Sequence, residues 1–345
     1  MTALLAVLVL ATTAACSGAD TEEPAAGDES ASSTPTPTDE PSSPEPSATV
    51  EEKRVNPVSL EALAEKQYDG RDLRLVRVLA ETDAYTTYFA TYRSGSLTIS
   101  GRVNVPKGKG PHPAVVLAHG YIDPFVYVNG QGLVREQDYL ARAGYLTLHV
   151  DYRNHAESSI DPTNDVRMRL GYTEDVINAV LALRGRPQVV DGERIALLGR
   201  SMGGGVVYNV LTVKPGLVDA AVAFAPVSSD TGDNFDRWIR PDPGRQTVAA
   251  RVLRRFGAPE DRPAFWHGVS PRTYFDRVED PLLVHHGTSD DICPIEWTYE
   301  SVAALEKAGA PVRLWVYEGE EHAFVPQWPL SMRRTVAFLD RNVRA

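Results

Sequence analysis

Ser201 sits in "RIALLGRSMGGGVVYNV" (194–210), with Gly199 two residues before it and Gly203 two after. An apolar run, a crowded glycine turn and a second apolar run describe a strand that turns at once into a helix. Side chains at 199 and 203 would collide in such a turn, which is why both are glycine. The bend lifts the hydroxyl above the carboxyl end of the strand. It also sets the next backbone N–H at a helix N-terminus, where developing negative charge is favoured. A serine hydroxyl does not attack a carbonyl unaided; it needs a base, and the base needs an orienting acid. Downstream, "TSDDICP" (288–294) offers Asp290 and Asp291, and "EEHAF" (320–324) offers His322. The chain order is therefore serine, acid, histidine. His322 is expected to serve as general base and then general acid, with the aspartate fixing its tautomer.

These residues need a scaffold that brings them together. Segments 73–80, 85–93 and 97–106 alternate, carry β-branched and aromatic residues, and follow one another through short turns, so they predict an antiparallel start. The pattern then changes. Apolar strands are predicted at 113–120, 145–151, 194–199, 219–226, 280–287 and 312–319. Helices are predicted at 131–144, 166–185, 201–213, 295–309 and 329–345. Strands alternating with helices imply a mostly parallel sheet covered on both faces, an α/β class. Ser201, the Asp290/Asp291 pair and His322 all fall at the carboxyl ends of strands, the side on which such sheets bind ligands.

The strand "PAVVLAHG" ends at His119 and Gly120, followed by Tyr121. In this architecture that loop supplies an oxyanion donor, so the backbone N–H groups of Tyr121 and Met202 are assigned the oxyanion hole. His119 and Gly120 shape the turn. His285 and His286 are neighbours on a strand and point to opposite faces, so neither suits the base and the pair cannot chelate one metal. His112, His149, His155 and His267 read as structural, with His155 in a surface turn. No Cys/His cluster, HExxH or P-loop is present, so no metal and no nucleotide cofactor is expected. Cys293 reads as a small buried hydrophobe.

The N-terminal region is of another kind. "TALLAVLVLATTAAC" (2–16) is too short to span a bilayer and has the small-residue end of a secretory signal. Residues 1–16 are expected to be a leader closing on Cys16, which resembles a bacterial lipobox cysteine and would be lipidated. Residues 17–56 are Ser, Thr, Pro, Ala and acid, a composition expected to form a disordered tether. Residues 57–345 would be the folded domain, anchored by lipid at the outer face of the cell membrane or, alternatively, secreted. The net charge is −11; residues 1–50 contribute eight acidic side chains and no Lys or Arg, leaving −3 for the rest. No basic stripe stands out, so a nucleic-acid partner has no electrostatic support.

Taken together, the motifs resemble the α/β-hydrolases, and within them the catalytic domains of the prolyl oligopeptidase and acylaminoacyl-peptidase group. The likeness is carried by "YRSGSLTISGRVNVP", "HPAVVLAHGY", "VDGERIALLGRSMGGG", "SPRTYFDRVEDPLLVHHG", "HGTSDDICP" and "YEGEEHAF", over roughly residues 90–345. The resemblance implies an α/β-hydrolase fold, with an acyl-enzyme formed on Ser201. The register of "HGTSDDICP", an aspartate four residues before a proline, implies Asp290 rather than Asp291. Full-length oligopeptidases of the group carry a large β-propeller; about forty residues separate the tether from the hydrolase here, too few for one.

Residues 227–270 lie between two core strands and exceed an ordinary connection. They are expected to form a lid, including a helix over "QTVAARVLRRFG", whose Phe235, Trp238 and Trp266 line a substrate pocket. Tyr121, Phe125 and Tyr127 would form the opposite wall. Three activities follow: a serine peptidase acting on short peptides or amides, a carboxylesterase acting on short acyl or aryl esters, or a hydrolase-like binding lipoprotein without turnover. The intact set of Ser201, Asp290 and His322 argues against the last.

Overall fold

The computed structural model describes residues 55–344. The leader, Cys16 and nearly all of the tether lie outside the described residues. No helix among those described is long and apolar enough to cross a membrane.

A nine-stranded sheet runs in the order β1-β2-β3-β5-β4-β6-β7-β8-β9. The first three strands, β1 (Arg71–Glu81), β2 (Tyr85–Ser94) and β3 (Leu97–Pro106), are antiparallel, and β3 pairs antiparallel with β5 (Leu146–Val150). From β5 onward the sheet is parallel: β4 (His112–Ala118), β6 (Val190–Arg200), β7 (Ala220–Phe224), β8 (Leu282–Gly287) and β9 (Val312–Tyr317). The chain leaves β4 toward β5 and returns to build β6 on β4's other side. The crevice between the carboxyl ends of β4 and β6 is thus a switch point, where open sheets hold ligands.

The central strands are apolar on both faces because helices cover both. Val116 of β4 and Leu197 of β6 face one core, with α3 (Leu170–Arg184) and α4 (Met202–Val213). Leu117 and Leu198, one residue on, face the other, with α2 (Val134–Arg142) and α9 (Trp328–Val343). This one-residue alternation is the strand period of two.

Three departures from the sequence reading have local causes. A short helix, α1 (Leu60–Glu65), precedes the sheet; Ser59 caps it, accepting from the Ala62 N–H. The helix expected from 166 begins only at Leu170, because Met168 and Arg169 both take left-handed φ, 53° and 56°, which no helix continues through. Segment 227–270 forms three helices rather than one: α5 (Thr231–Trp238), α6 (Gln246–Phe256) and α7 (Pro263–Gly268). The helix α8 (Ile295–Lys307) follows β8.

Candidate active site

Ser201 occupies the turn between β6 and α4 with φ 56° and ψ −122°, a strained conformation for a residue with a side chain. Its N–H donates to the Phe224 carbonyl at 2.9 Å, which fixes the bend. A Cβ at Gly199 would overlap the Gly203 carbonyl. At Gly203 the obstacle is different from the one expected: a Cβ there would overlap the Ala118 carbonyl at the end of β4. The glycines therefore do two jobs, closing the turn and letting α4 approach the neighbouring strand.

Gly120 brings the loop after β4 onto the serine; a Cβ there would lie 3.1 Å from Ser201 Cβ. His119 Nδ1 lies 2.6 Å from the Gly120 carbonyl, and Tyr152 Oη donates to the His119 carbonyl at 3.1 Å, so the histidine braces this turn. Burial, with His149 and His155 close by, pushes the His119 imidazole down to about 3, so it is neutral. Among the described residues, neither the Tyr121 nor the Met202 N–H donates to a protein acceptor.

Asp290 lies in the loop after β8 and is 8 % exposed. Its Oδ2 accepts from His322 Nδ1 at 2.8 Å, and its Oδ1 accepts from the backbone N–H groups of Ile292 at 3.0 Å and Cys293 at 2.8 Å. Burial opposes its charge, but hydrogen bonds from His286 and His322, the proximity of His322 and the Cys293 N–H outweigh it. The carboxyl is held well below the usual carboxylate range. Asp291 is exposed and makes no such contact with His322. His322 and Ser201 line one cavity of about 520 Å³ without a direct hydrogen bond between them. Ser201 Oγ rests instead 3.9 Å from Cys293 Sγ. Burial pushes that thiol up to about 12, so it stays protonated and is no rival nucleophile.

Segment 227–270 roofs the cavity. Phe235 and Trp238 line it, together with Val252 and Arg245. The roof is tied down by Arg237, which donates to the carbonyls of Asp291 at 2.8 Å and Ile292 at 3.0 Å, and by Arg245 stacked 4.3 Å over the Tyr121 ring. Trp266 does not reach the cavity. It is 2 % exposed, packs behind Phe235 and donates its indole N–H to the Gly257 carbonyl, so it supports the wall rather than forming it. Of the expected opposite wall only Tyr121 lines the cavity. Phe125 is 99 % exposed, and Tyr127 is buried with its hydroxyl donating to Asp151 at 2.7 Å. His155, expected in a surface turn, is buried between Tyr127 and Tyr172.

Two residues near the site escaped the sequence reading. Adjacent strand residues face opposite ways, which argues against His286 as the base, yet that placement aims it at Asp290, 3.2 Å away. The signal was its position at the end of β8, four residues before the aspartate. Arg169 lines the cavity, its Nε donating to Asp165 at 2.7 Å and its guanidinium stacked 4.8 Å from Tyr121. Its left-handed backbone left no periodic trace.

Residues 132–345 match the prolyl oligopeptidase family. The uncharacterized peptidase YuxL of Bacillus subtilis is 27% identical over 272 residues, covering 75% of this chain and 38% of that protein. The acylaminoacyl peptidase of Pyrococcus horikoshii superposes with a TM-score of 0.61 at 21% identity, over 76% of this chain and 42% of that one. Acetyl xylan esterase 1 from Thermoanaerobacterium gives 0.60 at 17% identity, over 81% of this chain and 92% of that one. The chain thus spans about two fifths of the peptidases' length and nearly all of the esterase's. With an α/β-hydrolase sheet, a serine on a strained strand-to-helix turn and a match over most of its folded length, this chain belongs to the prolyl oligopeptidase family.

Proposed function

We propose that Ser201, His322 and Asp290 form a catalytic triad that hydrolyses short peptide or amide bonds through an acyl-enzyme. The observation that carries the reading is the 2.8 Å Asp290–His322 pair opening onto the same cavity as Ser201. In the first step the Ser201 hydroxyl swings from the Cys293 thiol toward His322 Nε2 and attacks the substrate carbonyl carbon. Its proton passes to His322. Hydrogen bonds of this kind are often open in the free enzyme and tighten on binding. The oxyanion takes the N–H groups of Tyr121 and Met202, each such donor contributing about 2.7–4 kcal/mol at the transition state. His322 then delivers its proton to the leaving nitrogen. Water, deprotonated by the same imidazole, releases the acid and regenerates the serine. Asp290, an acceptor only, holds the proton of His322 on Nδ1 and leaves Nε2 free to work.

The roofed cavity favours a short chain with an apolar side chain or acyl group against Phe235 and Trp238. A carboxylesterase on short acyl or aryl esters is the second reading, favoured by the near-complete coverage of the acetyl xylan esterase chain. Comparing aminoacyl nitroanilides with nitrophenyl esters of matched side chain, beside Ser201→Ala, separates the two. Anilide cleavage lost in the variant supports the peptidase; ester cleavage alone supports the esterase. Retention of both in the variant rejects the triad. We propose further that lipid on Cys16 holds the enzyme at the outer face of the membrane, supported by the leader and tether composition. Labelling with a fatty-acid analogue, lost in Cys16→Ala, tests it.

A further inference from the structure

Asp290 has a second imidazole. His286, one residue from the end of β8, is fully buried. Its Nε2 lies 2.9 Å from the Cys293 carbonyl oxygen and 3.2 Å from Asp290 Oδ2, and its Nδ1 lies 2.6 Å from Thr298 Oγ1 on α8. A carbonyl and a carboxylate are acceptors only, so Nε2 carries the proton and shares it between them. Nδ1 then accepts from the Thr298 hydroxyl, which is able to donate. Every polar atom of the ring is used, and two of its three partners belong to the turn 290–293. Gly287 adds a second constraint. A Cβ there would overlap the Glu320 carbonyl, so its absence lets the loop carrying His322 close on the end of β8.

We infer that His286 is a positioning residue of the hydrolytic centre: its Nε2–H holds the Asp290 carboxylate in register and draws off part of the charge that Asp290 presents to His322. The inference rests on the triad reading above. It follows from the donor census of one oxygen. Oδ2 accepts from His322 at 2.8 Å and lies 3.2 Å from His286 Nε2, whose N–H goes chiefly to the Cys293 carbonyl at 2.9 Å, while Oδ1 is occupied by two backbone N–H groups. A carboxylate stabilised by one more donor attracts the remaining proton less. His286 therefore helps fix the oxygen that takes the His322 Nδ1–H. The other groups facing this cluster are few. The Cys293 thiol lies beside Ser201, Arg237 of the roof holds the loop carbonyls, and buried Glu320 is occupied by the N–H groups of Val325 and Gln327.

The test is the pH profile of p-nitrophenyl acetate hydrolysis by the full chain, for wild type, His286→Met, His286→Gln and Ser201→Ala. Methionine removes the donor. The acidic limb of kcat/KM is expected to move to higher pH by roughly half a unit, with the loss at the plateau falling on kcat rather than KM. Glutamine keeps a donor near the Nε2 position and is expected to bring the limb back toward wild type. An unmoved or downward-shifted limb in His286→Met, with only a lower melting temperature, overturns the inference and leaves His286 a core filler. Should that variant not fold, the ring nitrogens of 15N-histidine-labelled wild type decide. A protonated Nε2 and bare Nδ1 on His286 support it, and the opposite tautomer overturns it. Ser201→Ala separates the two claims. Full activity in that variant defeats the triad and this inference with it. An inactive Ser201→Ala beside an unmoved limb defeats this inference alone.

Discussion

Replacing Asp290 by asparagine changes almost no volume and yet leaves no orientation that satisfies the site. Oδ1 faces two N–H donors from the backbone, and Oδ2 faces two imidazole N–H donors. Whichever way the amide turns, its NH2 group meets two donors. With the NH2 toward His322, the ring is driven to the tautomer that accepts at Nδ1 and carries its proton on Nε2. That tautomer cannot take the Ser201 proton. With the NH2 toward the loop, the N–H groups of Ile292 and Cys293 lose their acceptor and the turn opens. Losses of about 10³–10⁴-fold in kcat are expected, or about 4–5.5 kcal/mol of transition-state stabilisation. Unfolding free energy should also fall by about 2 kcal/mol or more from the buried donors left unpaired. Steady-state hydrolysis of a nitrophenyl ester, with urea unfolding of the same samples, reads both. A folded Asp290→Asn protein within 10-fold of wild-type kcat would refute the reasoning, because the orienting carboxylate would then be dispensable.

Other perturbations follow from the same structure. Burial pushes His119, His149 and His285 down to about 3, against about 6.5 in the unfolded chain. Their contribution to stability is complete above that unfolded value and is lost as pH falls toward 3. Each group costs up to about 1.4 kcal/mol per pH unit, so about 4 kcal/mol per unit for the three near pH 5. Urea midpoints that stay level from pH 7 to pH 5 would contradict this. Gly203→Ala drives a methyl into the Ala118 carbonyl and is expected to cost at least about 3 kcal/mol or to prevent folding, seen as loss of soluble protein or a large fall in Tm. Trp238→Ala removes a cavity wall that also packs edge-on against Trp297 at 5.4 Å. The octanoyl-to-acetyl ratio of ester kcat/KM is expected to fall about 10-fold; an unchanged ratio denies the cavity a role in acyl binding.

The sheet and the loops that carry Ser201, Asp290 and His322 were legible because each rests on a local pattern. Apolar runs of strand length, helical periodicity and glycines at fixed offsets are all written within a dozen residues. The antiparallel start was legible for the same reason, since short turns leave successive strands little choice of partner. What stayed hidden depends on partners distant in sequence. Trp266 looked like a pocket residue by composition, but its indole N–H is spent on Gly257 and its ring on Phe235. Phe125 looked like a wall and stands in the open, because its loop is held by Asp123 and by Tyr127 on Asp151 rather than by the cavity. The late start of α3 reflects two left-handed residues that no propensity announces. The contact of His286 with Asp290 required the turn 290–293 to fold back on β8, which a strand-face argument cannot supply.

The central claim is that Ser201 is the nucleophile. Treatment of the full chain with a fluorophosphonate probe, followed by peptide mass spectrometry, tests it most directly. One adduct per chain is expected on Ser201, formed in step with loss of activity and absent from Ser201→Ala. An adduct on another residue, or inactivation that persists in Ser201→Ala, would contradict it.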